Sequence, residues 1–323
     1  MGVPKVSVIL TSYNNGKYLG AAIDSILTQE FDDFELILVD DASRDDSAQI
    51  IKAYEARDSR VRTVFLDCTQ GMAGARNRGF DIAQSEYIAY MDSDDVSLPA
   101  RLKKQVDFLE NNPEIGAVGV MVRKTRHDLA LGAVRERPPQ HAEIIFNVYT
   151  GQLRHISCGT LMIRRQFLDA IGGWNEAVRH EIEPGFLATL VSCASVRLAN
   201  IQEVLHLQRV HSNNTSNLPI GVQRRESLAG ARVLLERLLG GVSDETLRCF
   251  RSLRQFENLN WRDRRMAKRQ MKRIIESLIA RGDIRTEERV QLTALMNRRL
   301  ENASPRRWQQ FCYWRRKWFR TQA

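Results

Sequence analysis

Asp92, Asp94 and Asp95 fall within four positions, directly after the apolar run Tyr87-Ile88-Ala89-Tyr90-Met91. Three carboxylates this close repel one another, and keeping them ionised is costly unless a cation or a ligand offsets the charge. Mg2+ and Mn2+ take oxygen ligands and commonly share one or two carboxylates with the phosphates of a substrate. The same residues also suit a solvated acidic turn that caps a helix starting near Pro99. A second acidic pair, Asp40-Asp41, closes the run Leu36-Ile37-Leu38-Val39, and a histidine, His211, follows a stretch of extended character over 196–210.

The elements that must carry these residues can be read from periodicity. Short apolar runs rich in strand formers (Val6-Ser7-Val8-Ile9-Leu10, 35–39, 61–66 and 87–91) alternate with helical patterns. In the first helix Leu19, Ala22, Ile23, Ile26 and Leu27 recur on one face. Alternating β and α elements predict a parallel sheet with helices on both faces and right-handed crossovers. A run without polar alternation suits a strand covered on both faces. Both acidic clusters then sit at the carboxyl ends of strands, where open α/β sheets place ligands. Beyond Gly116 the pattern loosens. Strands are expected over 116–122 and 159–163, with a turn and helix over 138–149.

The first β-α turn, TSYNNG, lacks the GxGxxG of a dinucleotide site and disfavours a dehydrogenase, and no GxxxxGK[ST] is present. It also lacks the glycine-rich signature expected of a nucleotidyltransferase. The 323 residues allow one large domain with an appendage. No apolar run approaches the ~18 residues needed to span a bilayer, and the chain enters a strand without a signal-peptide pattern. Five scattered cysteines form no CxxC pair, so neither a disulfide framework nor a zinc site is suggested and a cytoplasmic location is expected. Charge is uneven. Residues 226–323 hold 23 Lys+Arg and 11 Asp+Glu, a balance of +12, against +9 for the chain, which leaves −3 for residues 1–225. A near-neutral domain over 1–225 followed by a basic helical region over 226–323 is predicted.

Several stretches, in order, carry a family resemblance: VSVILTSYNN, SILTQEFDDFELILVDDAS, GMAGARNRGFDIAQSEYIAYMDSDD, LPARLKKQVDFLENNPEIGAVG, GTLMIRR and IGGWNE. Over roughly residues 4–215 the chain resembles the inverting glycosyltransferases of family 2, which include bacterial surface-polysaccharide enzymes and have the GT-A fold. The resemblance implies a metal-dependent transfer of a sugar from a nucleotide diphosphate donor, UDP-linked by expectation, to a hydroxyl of a glycan or lipid-linked glycan. It assigns Asp41 to the nucleotide base, with Thr11 and Tyr13 as the wall of the same pocket. Asp92, Asp94 and Asp95 match the DxD motif, in which a carboxylate and the donor diphosphate share Mn2+ or Mg2+. Asp94, Asp95 and His211 are the implied metal ligands, with Asp92 and Asp94 on the donor; for His211 the alternatives are contact with the diphosphate or a structural role. Arg76 matches a position near the donor, where a guanidinium pairs with phosphate; a surface salt bridge is the alternative. For Asp40 and Asp41 the alternative is a helix cap.

The chain departs from the family at the general base. The expected acidic pair reads Pro184-Gly185, within HEIEPGFLATL. Glu183 is the nearest acid, one residue early, and Pro184 suits the first turn of a helix that would aim it at the acceptor. Glu181 or Glu176 could serve instead, or the domain could be a catalytically weak module that binds nucleotide-sugar or a partner.

The C-terminal region lies outside the resemblance. On a helix, its last segment, PRRWQQFCYWRRKWFRTQ, places Trp308, Phe311, Cys312, Trp314, Trp318 and Phe319 on one side and Arg306, Arg316, Lys317 and Arg320 on the other. That is the pattern of an interfacial membrane helix, and equally of a terminal helix docked on the domain. Peripheral contact with anionic membrane is the expectation; no nucleic-acid motif is present.

Overall fold

The computed structural model describes residues 2–303, apart from 127, 151, 153, 178–181, 212–231 and 255–258. The chain divides into two compact units, residues 1–144 with 154–220, and residues 145–153 with 221–323.

The first unit is built on one sheet. Strands β1 (Val6–Ser12), β2 (Phe34–Asp40), β3 (Val61–Phe65) and β4 (Tyr87–Asp92) pair in parallel in the order β3-β2-β1-β4. Their connections are α1 (Gly16–Leu27), α2 (Ser47–Glu55) and α3 (Gly71–Ile82). All of β2 and all of β1 except Thr11 are buried, as expected for central strands covered on both faces. Gly79 lets α3 lie close to the sheet, because a Cβ there would stand 2.5 Å from Ile9 Cγ2.

Beyond β4 the chain changes character. β5 (Val96–Ser97), α4 (Arg101–Asn111), β6 (Ile115–Thr125), β7 (Leu131–Arg135), α5 (His141–Tyr149), β8 (Met162–Arg164), α6 (Arg165–Ile171), α7 (Ile182–Ala194) and β9 (Arg197–Arg209) follow. The sheet continues as β4-β8-β6-β9-β5, with β7 on β6. Here pairing is mixed. β4–β8, β6–β8, β6–β7 and β5–β9 are antiparallel, and β6–β9 is parallel with register shifts. The parallel architecture expected from βα alternation thus holds for the first half and joins a mixed half. A three-residue strand and a hairpin carry too few residues to show a period.

The second unit is helical in its described residues. It includes α8 (Asp244–Arg254), α9 (Trp261–Ala280) and α10 (Arg289–Asn302). α9 buries Ala267, Met271, Ile274, Ile275 and Leu278 on one face. Residues 145–153 join this unit, which a boundary near 225 does not anticipate. Arg299 on α10 donates to Asn147 and, at 3.1 Å, to Thr150, and its guanidinium lies 5.2 Å from the Phe146 ring. The predicted terminal aromatic helix lies outside the described residues.

Candidate active site

Three strand ends meet. Register places Thr11 beside Val39 on β2 and Asp92 on β4. The turn after β1 is tied to the other two loops. Asn14 Oδ1 accepts from the Arg44 N–H at 2.7 Å, and Asn15 Nδ2 donates to Ser93 Oγ at 2.9 Å. Thr11 is partly exposed and Tyr13 is 52% exposed, so both present surface at this corner. Asp40 accepts from the Ser43 N–H at 3.1 Å, a local turn bond. Asp41 instead reaches across to the loop before α3, accepting from Thr69 Oγ1 (2.8 Å), the Gln70 N–H (2.7 Å) and the Gly71 N–H (2.9 Å). Neither acid caps α2, whose N-cap is Asp46.

The three acids after β4 occupy different environments. Asp92 Oδ1 accepts from Arg76 Nη2 at 3.0 Å, and its Oδ2 stands where a Cβ on Gly159 would collide with it. Asp95 is 3% exposed, and both its oxygens are engaged, Oδ2 with His206 Nε2 at 2.8 Å and Oδ1 with the Arg209 N–H at 2.9 Å. Burial holds the Asp95 carboxyl well above its usual range, helped by the charge of Asp92. Burial also pulls His206 down to about 3, so this imidazole stays neutral. Asp94 Oδ2 meets His211 Nε2 at 2.9 Å. Burial, then Asp95 and Asp92, push Asp94 up to about 6. Arg101 lies beneath the cluster, fully buried, donating to the Tyr90 carbonyl at 2.7 Å. Burial draws it down to about 10 against the pull of Asp92 and Asp95.

Arg76 is not on the surface. It is 1% exposed, packed between Trp174 (4.5 Å to the ring centroid) and Tyr90 (5.3 Å), and its guanidinium pairs with Asp92. This excludes the surface salt bridge. The neighbouring Asn77 fixes one wall of the cage. Its Nδ2 donates to the Trp174 carbonyl at 2.9 Å and its Oδ1 accepts from the Trp174 N–H at 2.8 Å. Gly173, at φ 85° and with Asn77 Oδ1 only 2.6 Å from a virtual Cβ, is the residue that permits this turn. On its far side Trp174 stacks on Phe186 of α7, with centroids 3.7 Å apart.

That stack docks the first turn of α7, which carries Glu183. Glu183 Oε1 accepts from the Cys158 N–H at 3.2 Å. Burial and the charge of Asp92 push Glu183 upward, while Arg76, Arg137 and the Cys158 N–H draw it back. Glu176 is engaged elsewhere, by Asn77 at 2.8 Å and Arg78 at 3.2 Å on the exposed side of α3. Glu181 lies outside the described residues.

The donor set suits a hard cation in part. Asp94 and His211 offer an oxygen and a nitrogen at one point, and added positive charge there would favour the ionised form of Asp94, which burial and two carboxylates oppose. Each Asp95 oxygen is engaged once by β9, Oδ2 with His206 Nε2 and Oδ1 with the Arg209 N–H, and each retains room for a second partner. Among the described residues no three His, Cys, Asp or Glu side chains form a complete ligand group.

His206, Arg101, Trp174, Phe186 and the Cys158 N–H escape a reading by motif chemistry. Trp174 lies in IGGWNE and Arg101 in LPARLKK, but those letters do not show which charge they meet. His206 sits inside a strand, where a lone histidine carries no spacing signal.

Comparison with known proteins follows this geometry. The model of "Glycosyl transferase family 2" matches residues 7–172. The O-antigen biosynthesis glycosyltransferase WbnJ of Escherichia coli is 31% identical over 215 residues, 65% of this chain and 81% of that protein. Other curated relatives are matched over less, and the chain spans 40–45% of the length of three of them. In fold, the chain is similar to S. aureus TarS 1–349 in complex with UDP-GlcNAc, at TM-score 0.60 and 16% identity, covering 93% of this chain and 89% of that one. The mannosyltransferase PcManGT from Pyrobaculum calidifontis, in complex with GDP-Man and Mn2+, aligns at TM-score 0.56 and 16% identity over 94% of this chain and 86% of that one. By its matched motifs and by the extent of the match to WbnJ, the chain belongs to glycosyl transferase family 2.

Proposed function

We propose that the protein is an inverting glycosyltransferase that moves a sugar from a nucleoside diphosphate donor, UDP-linked by preference, to a hydroxyl of a glycan or lipid-linked glycan. The observation that carries this reading is the gathering of two chemistries around one ion pair. Asp92, paired with Arg76, is two residues from Asp94, which meets His211. Asp92 Oδ2 abuts Gly159, next to Cys158, whose N–H holds Glu183. Asp41 keeps capacity on Oδ1 for the N3–H of uracil, since a carboxylate oxygen accepts about two hydrogen bonds and Oδ1 takes one here. Thr11 and Tyr13 wall that base. The complexes of TarS with UDP-GlcNAc and of PcManGT with GDP-Man and Mn2+ support the donor class and the metal.

Glu183 takes the proton of the acceptor hydroxyl on Oε2, because Oε1 is held by the Cys158 N–H. The acceptor oxygen bonds to the anomeric carbon from the face opposite the nucleoside diphosphate, which leaves with the electron pair of the broken bond, so configuration inverts. Asp94 and His211 would hold Mn2+ or Mg2+, which when bound would supply positive charge for the leaving diphosphate. Asp95 acts one step back. It fixes β9, through His206 and the Arg209 N–H, to the loop that presents Asp94.

The test is a thermal-shift screen of nucleotide-sugars with and without Mn2+, followed by product analysis, since a ligand of the native state raises stability. The expected result is Mn2+-dependent stabilisation by a UDP-sugar and release of UDP. Release of pyrophosphate, or indifference to every nucleotide-sugar, would overturn the assignment.

A further inference from the structure

The carboxyl end of β9 and the first turn of α1 meet beside Asp94, and one side chain joins them. β9 ends at Arg209, and the Val210 N–H donates to the Thr125 carbonyl of β6 at 2.9 Å. His211 lies one residue beyond that bond, so the direction of its ring depends on the side chains around it. Its Nε2 faces Asp94 Oδ2 at 2.9 Å. The imidazole lies against Tyr18 of α1, with ring centroids 4.6 Å apart and planes inclined by 36°. The Arg209 guanidinium stands 4.7 Å from the centroid of the same Tyr18 ring. Arg209 also serves the acidic loop. Its Nε donates to the Asp94 carbonyl at 2.8 Å and its backbone N–H to Asp95 Oδ1 at 2.9 Å. Tyr18 thus bears on two residues, Arg209 and His211, that reach the loop presenting Asp94.

Tyr18 is held from its own side as well. Its N–H donates to the Asn15 carbonyl at 3.0 Å, and Asn15 Nδ2 donates to Ser93 Oγ at 2.9 Å, which ties the start of α1 to the same loop. Leu19, Ala22, Ile23 and Ile26 bury the adjoining face of the helix. The Tyr18 ring is half-buried, and the ammonium of the exposed Lys17 lies 5.1 Å from its centroid. A ring that meets an imidazole and a guanidinium at once limits the orientations open to both.

A histidine that binds a metal is oriented by the groups around it, and losing such a partner weakens the site. We propose that Tyr18 is a positioning residue of this kind: its ring aims the His211 imidazole at Asp94 and thereby sets a preference for Mn2+ over Mg2+. The proposal rests on Asp94 and His211 being the metal ligands. The preference follows from ligand chemistry. Mg2+ is a hard cation that keeps oxygen and water ligands, whereas a first-row transition ion such as Mn2+ accepts an imidazole nitrogen more readily. With the imidazole misdirected, the carboxylate of Asp94 remains, and a carboxylate discriminates little between the two ions.

The experiment is a thermal-shift titration of the full chain with Mn2+ or Mg2+ at one fixed concentration of UDP. The readout is the metal concentration that gives half of the UDP-dependent stabilisation, taken as the ratio of Mg2+ to Mn2+. Comparing this ratio between variants cancels the share of each ion that UDP binds in solution. Wild type should need less Mn2+ than Mg2+. Tyr18→Leu should raise the Mn2+ requirement about ten- to a hundredfold, the usual cost of losing an outer partner of a ligating histidine. Its Mg2+ requirement should change far less, so the ratio falls towards that of His211→Asn. Tyr18→Phe keeps the ring and should keep the ratio. Tyr54→Leu controls for a loosened α1. Tyr54 donates to Asp24 at 2.7 Å and to the Gly20 carbonyl at 3.3 Å, further along that helix, so its unfolding midpoint should drop while the ratio holds. If Tyr18→Leu does not fold, Tyr18→Met reads the same ratio. A wild-type ratio in Tyr18→Leu or Tyr18→Met, beside a reduced one in His211→Asn, would overturn the proposal and leave the metal ligands as assigned. A reduced ratio in Tyr18→Phe would overturn it too, because the hydroxyl rather than the ring would then be acting. An unchanged ratio in His211→Asn would remove His211 from the metal and the proposal with it. No stabilisation of wild type by UDP with either ion would count against the proposed function itself and overturn both.

Discussion

Asp94 and Asp95 are neighbours in sequence with different partners, and their variants should separate. Asp95 holds a neutral imidazole and a strand N–H in a buried site. Asp95→Ala strands those partners and should lower stability by about 1–3 kcal/mol with or without metal. The drop should appear as a lower midpoint in urea. Asp94→Asn keeps shape and hydrogen bonding but removes the charge; the native fold should persist while Mn2+-dependent stabilisation by a UDP-sugar disappears. For Glu183, substitution by Gln leaves an amide that still accepts from the Cys158 N–H but takes no proton. The expected loss is about 10²- to 10⁴-fold in kcat with KM for donor little changed. Turnover within a few-fold of wild type would remove Glu183 from the mechanism.

At the scale of elements, Glu183, the proposed base, is positioned by a relay of packing. Asn77 on α3 holds the turn of Trp174, Trp174 covers Arg76, and Phe186 stacks on Trp174 to seat α7. The Arg-Asn pair of α3 therefore serves both sides, one residue on the ion pair and one on the turn. Trp174 is 2% exposed, so Trp174→Ala should cost about 3–5 kcal/mol. Phe186→Leu, which keeps much of the volume but loses the stack, should cost less and show mainly as reduced kcat, because the stack seats the helix that carries Glu183 and touches none of the proposed donor residues. Stability and initial rates measured on both variants check this. Gly159→Ala forces a methyl group into Asp92 Oδ2, and overpacking of this kind costs about 1–3 kcal/mol. Its larger effect should fall on activity, through displacement of the Asp92–Arg76 pair.

Over the whole molecule, charge separates by region. The basic residues after 226 include a row of exposed cations on α9 (Arg262, Arg265, Lys268, Arg269, Lys272 and Arg273), with Trp261 66% exposed at its start. Only its opposite face is apolar and buried. No helix of the described residues is long and apolar enough to cross a membrane. A peripheral electrostatic association with anionic lipid is therefore the membrane contact to test. The protein should sediment with anionic vesicles at low salt and be released at high salt or by removal of residues 304–323, because each cation near such a surface adds about 1 kcal/mol that salt screens. Binding insensitive to both treatments would exclude it.

The sequence by itself determined the parallel half of the sheet, the acids at its strand ends and the family. Long apolar runs and motif order are local properties that survive without knowledge of the fold. It also brought Glu183 into question through the Pro184-Gly185 departure. Only the tertiary structure decided which charges meet. Arg76 proved to be caged on Asp92, Asp95 to be tied to β9, and Glu183 to be held by the Cys158 N–H. Those pairings join residues far apart in the chain, such as 95 with 206 and 158 with 183. A carboxylate's role depends on the burial and partners that such long-range approach creates, and no spacing along the sequence encodes them.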